Sequence, residues 1–316
     1  MSSANPDTAQ FSTLSTRAIV TKPAGNRPRR AARARGPVRG LLFALLPAFL
    51  VLAVFYFYPM VTVLIAAFTD PQPGMQNVEW FFSQSVNLDV LWRTIVISFW
   101  VMVICVVVAY PFAYFMTSVS ASTRSWLMLM VLIPFLTSTV VRTFAWVLLL
   151  QDSGPIGNIL KIFGVEQLGI MRTPAAVLIG MAQVLLPFVV LPMFSTMSQI
   201  DRRLLTAAES LGATRTRAFL SVYLPLSLTG VAAGALLCFV MALGFYITPA
   251  MLGSSQETFL STLIQGQVQG LGQWGHGAII ALVLLIVTLA ILAVSGIIGR
   301  RAGGASVESM VGGSKA

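Results

Sequence analysis

The sequence predicts an all-α integral membrane protein with six transmembrane helices, and three observations carry that prediction. Of its 316 residues, 57% are hydrophobic and only 9% are charged, whereas soluble domains carry about 25% charged residues. Six apolar segments reach the length of roughly 20 residues that a helix needs to cross a bilayer core. The basic residues between these segments alternate in abundance, as the positive-inside rule requires.

The six predicted helices cover approximately residues 41–68, 91–118, 126–150, 174–197, 229–252 and 278–298. Four prolines lie inside them, at Pro111, Pro134, Pro187 and Pro192. Membrane helices tolerate proline where neighbouring groups satisfy the freed carbonyls. We therefore expect kinks at these positions within a membrane domain of residues 41–299.

The segments outside this domain, residues 1–40 and 300–316, are predicted to be cytoplasmic tails. Residues 1–40 hold eight of the twenty lysines and arginines and one acid, Asp7, among many small and polar residues. Such a composition predicts disorder, and its position beside a membrane helix favours contact with anionic lipid. Aromatic residues are not interleaved with the arginines, which argues against nucleic-acid binding.

Orientation follows from the distribution of basic residues. With the N-terminus in the cytoplasm, the inner segments hold sixteen basic residues and the three outer loops hold two, Lys161 and Arg172. Both termini are therefore predicted to be cytoplasmic. The outer loops also hold six acids, at Asp70, Glu79, Asp89, Asp152, Glu166 and Glu257. Their negative charge reflects depletion of basic residues, docking of an external protein or attraction of a cationic solute.

Missing motifs exclude several classes of function. The second to sixth helices contain no Asp or Glu, and ion-coupled carriers usually need an intramembrane carboxylate. A carrier or channel stays open as an alternative because backbone carbonyls can bind sodium. No phosphate-binding loop or catalytic triad is present. His276 is the only histidine, and Cys105 and Cys238 lie in apolar segments, where packing is their expected role. We predict that the chain is not an enzyme.

The inner loop at residues 199–228 is the most informative segment. Asp201 is placed to cap a helix from Arg202, and Gly212 is placed to end it in a left-handed conformation. An apolar face is expected from helical spacing, at Leu204, Leu205, Ala208 and Leu211. A second helix is expected over residues 215–223, ended by Pro225. The loop either lies on lipid as an amphipathic helix or docks a soluble partner.

The loop resembles the EAA loop of ABC-importer permeases. That pattern is Glu-Ala-Ala, three residues, Gly, nine residues, Ile, any residue and Leu-Pro. The corresponding residues here are Thr206, Ala207, Ala208, Gly212, Val222, Leu224 and Pro225. Thr206 replaces the glutamate, Val222 is a mild change, and Glu209 lies one turn further along as a possible substitute.

This resemblance implies a type I (MetI-like) permease fold in the bacterial inner membrane. It implies alternating access, with the loop as a coupling helix on a separate ATP-binding subunit that uses ATP and Mg; the chain itself would bind no cofactor. The implied partners also include a second permease, expected to differ from this chain, and an extracytoplasmic substrate-binding protein. A non-transporting membrane scaffold is a further alternative.

Two other segments resemble the spermidine/putrescine-type permeases, which implies transport of polyamines or a related amino compound. One is residues 132–146 with Gly154, Gly157 and Asn158, and the other is residues 245–253. They include aromatic residues that could line a translocation path by cation–π contact, although packing is the more ordinary role of each: Phe144, Trp146, Phe245 and Tyr246.

Arg142 lies within the third predicted helix. One alternative is a structural role, in which Arg142 caps carbonyls at a kink or contacts a partner permease. The other is that it lines the translocation path, where it would repel a polycation. Gly230 and Gly234 form a small-residue pair that predicts close helix packing. That packing is either within the chain or with a partner permease.

Overall fold

The computed structural model describes residues 38–163 and 169–312. The predicted basic tail lies outside these residues except for its last three, as do Glu166 and Lys315. By its internal contacts the chain divides into two units, residues 1–54 and 55–316. In the first unit, the described structure is helix α1, Val38–Leu52, and the start of a π-helical turn, Ala53–Phe57, that leads into the second unit.

The described part of the second unit is helical, without strands. Its helices in chain order are α2 Tyr58–Thr69, α3 Gln76–Ser83, α4 Ser85–Ser118, α5 Ala121–Leu136, α6 Thr139–Leu150, α7 Pro155–Ile162, α8 Pro174–Met197, α9 Arg203–Ser210, α10 Arg215–Ala218, α11 Leu224–Leu243, α12 Ile247–Leu252, α13 Leu260–Gln265 and α14 Trp274–Gly312. The all-α prediction is therefore confirmed.

Five helical stretches in the described residues are long and apolar enough to span a bilayer. They are Leu45–Thr69, Ser85–Ser118, Pro174–Met197, Arg215–Leu243 and Trp274–Ile297. A sixth candidate is broken: Ala121–Leu136 and Thr139–Ile162 meet at 96°. The predicted six spans are obtained when this bent pair is taken as one.

The kink expected at Pro134 in the third predicted helix, 126–150, is a full break in the structure. Pro134 cannot donate a backbone hydrogen bond, and α5 ends two residues later at Leu136. Thr137 turns back at this point and donates from both its backbone N and its Oγ1 to the Pro134 carbonyl. The other interior prolines have no such effect, since α4 runs through Pro111 and α8 runs through Pro187 and Pro192.

The prediction of a fifth helix over 229–252 is wrong at both ends. The helical stretch begins at Arg215, and α11 ends at Leu243. Residues 244–246 break the helix, and α12 then starts at Ile247. Pro249 falls in the first turn of α12, where a missing N–H needs no helical partner.

The main core lies where α4, α8 and α11 pack together. Fully buried apolar residues from all three helices meet there, including Val101, Cys105, Leu185, Cys238 and Ala242. Both cysteines are free thiols in this core, which agrees with their predicted packing role. A second cluster joins α2, α3, α4, α13 and α14 around Phe81 and Ile280.

The small-residue pair on α11 packs within the chain. A Cβ at Gly230 would lie 2.7 Å from Thr196 Cβ, and one at Gly234 would lie 3.0 Å from the Val189 carbonyl oxygen. Both neighbours belong to α8. Gly230 and Gly234 therefore allow α11 to approach α8 closely, which decides the question that the sequence left open.

Loops gather at the two ends of the bundle. At one, the Arg202 end, the loop at 198–214 lies beside the turn between α4 and α5, because Arg202 bonds to Thr117 and Ser118. At the other, the Arg172 end, backbone N–H groups join distant loops: Gly275 donates to Asp70 Oδ2 at 2.7 Å, and Arg172 donates to the Leu252 carbonyl at 3.1 Å.

Candidate functional site

The loop at residues 199–214 forms a short, well-capped helix. Asp201 Oδ1 accepts from the Arg203 N–H at 2.9 Å and so satisfies a free donor at the start of α9. At the other end, the Gly212 N–H donates to Glu209 O and the Ala213 N–H donates to Ala208 O. This pair of bonds is a Schellman motif, in which the residue after the cap is left-handed. Gly212 fulfils that requirement with φ of 90°.

The predicted apolar face of α9 is divided between the protein and its surroundings. Leu205 is half-buried and packs against the main core, and Ala208 is half-buried. Leu204 is 46% exposed and Leu211 is 90% exposed. The prediction of one common face is therefore corrected: Leu205 packs α9 on the bundle, whereas Leu204 and Leu211 are free to contact another molecule.

The residues that match the family triplet lie mainly on the outer side of α9. Thr206 and Ala207 are exposed, whereas Ala208 faces inward. Glu209 is exposed as well. The suggestion that Glu209 replaces the family glutamate stays a prediction.

The second half of the loop differs from its predicted form. Thr214 Oγ1 accepts from the Arg217 N–H and starts α10. A π-helical turn, Phe219–Tyr223, follows and leads directly into α11. Pro225 lies in the first turn of α11, so the prediction that it ends the helix is wrong. Proline is tolerated in a first helical turn, where its missing N–H is not needed. Val222 and Leu224 are half-buried and Pro225 is exposed.

Contacts that the sequence did not indicate attach this loop to the bundle. Arg202 Nη2 donates to Thr117 Oγ1 at 3.1 Å and to Ser118 Oγ at 2.7 Å. In the π-helical turn that follows α10, Tyr223 is buried and stacks on Phe219 with ring centres 5.4 Å apart.

Tyr114 of α4 meets both of these rings edge to face. The loop is therefore tied to α4 by hydrogen bonds and by an aromatic cluster. The spacing of Tyr110 with Tyr114 and of Phe219 with Tyr223, four residues each, is the sequence signal that could have indicated such a cluster.

Arg142 lies at the break between α5 and α6. It is 9% exposed. Its Nη2 donates to Thr137 O at 2.7 Å and to Phe135 O at 3.3 Å, and its Nε donates to Thr137 Oγ1. These carbonyls have lost their helical partners at the break, so the guanidinium occupies the position that the carbonyl-capping alternative requires.

The four aromatic candidates for a path are not gathered into one cluster. Phe144 is 52% exposed on α6, while Trp146 is half-buried and its Nε1 lies 3.5 Å from Gln183 Oε1. Phe245 and Tyr246 are half-buried in the break between α11 and α12. Among the described residues, no ring contact joins any two of the four. Their role stays a prediction.

A cleft of about 460 Å³ opens at the Arg172 end. It lies between Arg172, two residues before α8, and the segment from α12 to α13. Its lining includes one cation and several hydroxyl groups, at Arg172, Ser254, Ser255, Thr258 and Thr262. The sequence did not indicate it, because its two sides are distant along the chain.

Comparison with known protein families identifies the class of protein to which this membrane chain belongs. Residues 106–303 match the family described as "Binding-protein-dependent transport system inner membrane component". Because this match covers more than half of the chain, the chain belongs to that family, whose members are permease subunits of ABC importers.

Within this family, the chain is similar to permeases of spermidine/putrescine transport systems. The chain is 32% identical over 185 residues to the spermidine/putrescine transport system permease protein PotB of Salmonella typhimurium (strain SL1344), which covers 58% of this chain and 64% of the relative. It is 29% identical over 257 residues to PotB of Haemophilus influenzae (strain ATCC 51907 / DSM 11121 / KW20 / Rd), covering 78% of this chain and 85% of the relative. The chain thus matches just under two thirds of the length of the first relative.

A solved structure shares the fold. A chain of a bacterial alginate ABC transporter, solved in complex with an alginate pentasaccharide-bound periplasmic protein, superposes with a TM-score of 0.70 at 19% identity. The superposition covers 83% of this chain and 94% of that one. At this identity the likeness shows the fold alone, and it confirms the predicted permease fold.

Proposed function

We propose that this chain is the permease subunit of an ATP-driven, binding-protein-dependent importer for polyamines or a related amino compound. The observation that carries the proposal is the exposed helix α9, which is capped at both ends and presents Leu211 almost fully to its surroundings. Leu211, the residue that ends α9, is 90% exposed and is therefore free to contact a partner protein. The substrate class rests on the similarity to spermidine/putrescine permeases.

In this proposal α9 is the coupling helix and sits on an ATP-binding subunit. The Arg202 end then faces the cytoplasm and the Arg172 end faces outward, which places both termini inside. Closure of two ATP-binding subunits would move α9, and the bonds from Arg202 to the end of α4 would pass that movement into the bundle. A second, different permease and an extracytoplasmic substrate-binding protein complete the assembly.

Uptake into vesicles tests this function. The complete importer, purified with its partner chains and reconstituted, is given labelled putrescine together with the binding protein. We expect uptake that requires ATP and is insensitive to collapse of the ion gradients. Uptake that continues without ATP while a gradient is kept would establish the alternative, an ion-coupled carrier or channel.

The matched variants are Leu211→Asp and Leu211→Met, at the exposed residue that ends α9. Asp adds a charge to the proposed contact, whereas Met keeps its apolar character and volume. We expect Leu211→Asp to abolish ATP-dependent uptake, while Leu211→Met retains most of it. Equal effects of the two changes would remove α9 from the coupling step.

A further inference from the structure

Tyr223 carries a buried hydroxyl group that has no partner. Its side chain is 1% exposed, and its hydroxyl oxygen has no hydrogen-bond partner among the described residues. Buried hydroxyl groups nearly always have one, because burial without a hydrogen bond is costly. Tyr223 stands between Val222 and Leu224, at a position where the family pattern allows any residue. The loop motif therefore assigns this hydroxyl no role.

A second tyrosine of the same aromatic cluster provides a contrast. Tyr110 of α4 meets the Phe219 ring edge to face, and its hydroxyl lies 3.0 Å from Ser227 Oγ. Ser227 uses its own hydrogen for the Leu224 carbonyl at 2.8 Å, so Tyr110 is the donor in this pair. Both tyrosines lie where α4 meets the start of α11, and of the two only Tyr223 has an unpaired hydroxyl.

Thr117, near the end of α4, lies beside the Tyr223 hydroxyl without forming a hydrogen bond to it. Thr117 Oγ1 donates to the Tyr114 carbonyl at 2.7 Å and accepts from Arg202 Nη2 at 3.1 Å. A hydroxyl group has one hydrogen, so Thr117 can serve Tyr223 only as an acceptor. The donor that it has in this structure comes from the loop that carries α9.

The turn that carries Tyr223 lies on the chain between α9 and the bundle. The backbone runs from α9 through Gly212 into α10, and then without a break into the π-helical turn and α11. Turns of the π type are rare and are frequently found at functional sites. A movement of α9 and α10 therefore reaches Tyr223 directly, and the same movement draws Arg202 away from α4.

We propose that Tyr223 replaces Arg202 as the donor to Thr117 when α9 moves. In this structure Arg202 is the donor, and the Tyr223 hydroxyl is held in reserve. After closure of the ATP-binding subunits Tyr223 takes its place, so α4 stays linked to the moving segment. Tyr223 is thus a positioning residue for coupling that acts on α4 through Thr117. This inference rests on the proposed importer function and deepens it.

The test measures uptake per ATP hydrolysed in the reconstituted importer, with labelled putrescine and the binding protein, and the unfolding temperature in detergent. Tyr223→Phe removes only the unpaired hydroxyl. We expect an unchanged or higher unfolding temperature, because a buried polar group without a partner is lost. We expect uptake per ATP to fall about threefold or more, because the moved conformation loses a hydrogen bond.

The matched control is Tyr110→Phe. It makes the same chemical change in the same cluster, but it removes a hydroxyl that is paired in this structure. We expect the opposite result, a lower unfolding temperature with unchanged uptake per ATP. A role in packing alone would not separate the two variants in this way.

Variants of Thr117 identify the acceptor. Thr117→Val removes it and should lower uptake per ATP, and adding Tyr223→Phe should then cause little further loss. Thr117→Ser keeps the hydroxyl group and should restore most of the uptake that Thr117→Val loses.

Three outcomes overturn the proposal. If the unaltered importer is driven by ATP and Tyr223→Phe has the same uptake per ATP, the exchange is wrong while the importer function stands. If the losses from Tyr223→Phe and Thr117→Val are fully additive, the Tyr223 hydroxyl does not act through Thr117. If the unaltered importer shows no ATP-dependent uptake, the proposed function fails and the exchange fails with it.

Discussion

At the scale of single residues, the ends of α9 and the break between α5 and α6 each depend on one or two side chains. Asp201 and Gly212 set the two ends of α9, and both cap bonds are present. Arg142 donates to the Phe135 and Thr137 carbonyls at the break. A charge in an apolar segment is costly unless it is paired, and these bonds supply its partners.

Gly212 gives the first residue-scale prediction. A Cβ added at Gly212 meets nothing within 4 Å, so substitution acts through the turn and the charge it adds. Asn tolerates a left-handed φ and is isosteric with Asp. We therefore expect Gly212→Asn to keep most uptake and Gly212→Asp to lose it, with both proteins inserted in the membrane. Normal uptake by Gly212→Asp would exclude this turn from the mechanism.

Arg142 gives the second residue-scale prediction. Arg142→Ala leaves the Phe135 and Thr137 carbonyls without their donor at the break. These bonds are part-buried, and each contributes up to about 1–3 kcal/mol because its donor is charged. We expect a lower unfolding temperature in detergent and poor assembly, with the order of solute preference unchanged. Arg142→Lys, which lacks the planar fork, should recover only part of the loss. A changed solute preference in a stable Arg142→Ala complex would indicate a path-lining role.

At the scale of helices, apolar length predicted where spans lie but not where they break. The second, fourth and sixth predicted helices overlap α4, α8 and α14 closely. The kink expected at Pro134 in the third helix is a full break, and the fifth was predicted as a single helix although Gly244 ends α11. The same residue type does not break α8 at Pro187 or Pro192. Composition alone cannot distinguish these cases, because the outcome depends on which side chains satisfy the freed carbonyls.

The contact of α11 with α8 can be measured through its glycines. Gly230→Leu would place side-chain atoms where Thr196 already lies, and overpacking of this kind costs about 1–3 kcal/mol. Gly266→Ala is the control, because a Cβ there meets nothing within 4 Å. We expect a lower unfolding temperature for the first variant and no loss for the second. Equal stability of both would mean that α11 does not pack on α8 at this site.

The link between α9 and α4 is tested by a double-mutant cycle on Arg202 and Ser118. Their hydrogen bond of 2.7 Å is exposed, so its stabilising effect is small, about 0.5–1.5 kcal/mol. Its proposed role is in coupling: Arg202→Ala should preserve ATP hydrolysis and reduce uptake per ATP. Adding Ser118→Ala should cause little further loss. Fully additive losses in uptake would show that the two residues act independently.

At the scale of the whole molecule, the family and the fold were predictable, and the transported solute was not. The loop motif is local and survives in the sequence despite Thr206, and the family match over residues 106–303 agrees with it. The cleft at the Arg172 end joins residues about 80 positions apart, so no local pattern could have indicated it.

We propose that this chain is one membrane subunit of a transporter and that a separate ATP-binding polypeptide supplies its energy. The most direct measurement is affinity purification of the tagged chain from native membranes in mild detergent, with identification of every co-purifying chain and assay of ATP hydrolysis. We expect an ATP-binding subunit and a second permease, and we expect Leu211→Asp to lose the first while retaining the second. Recovery of the chain alone in several mild detergents, with no ATP hydrolysis, would contradict the claim and assign α9 to the lipid surface.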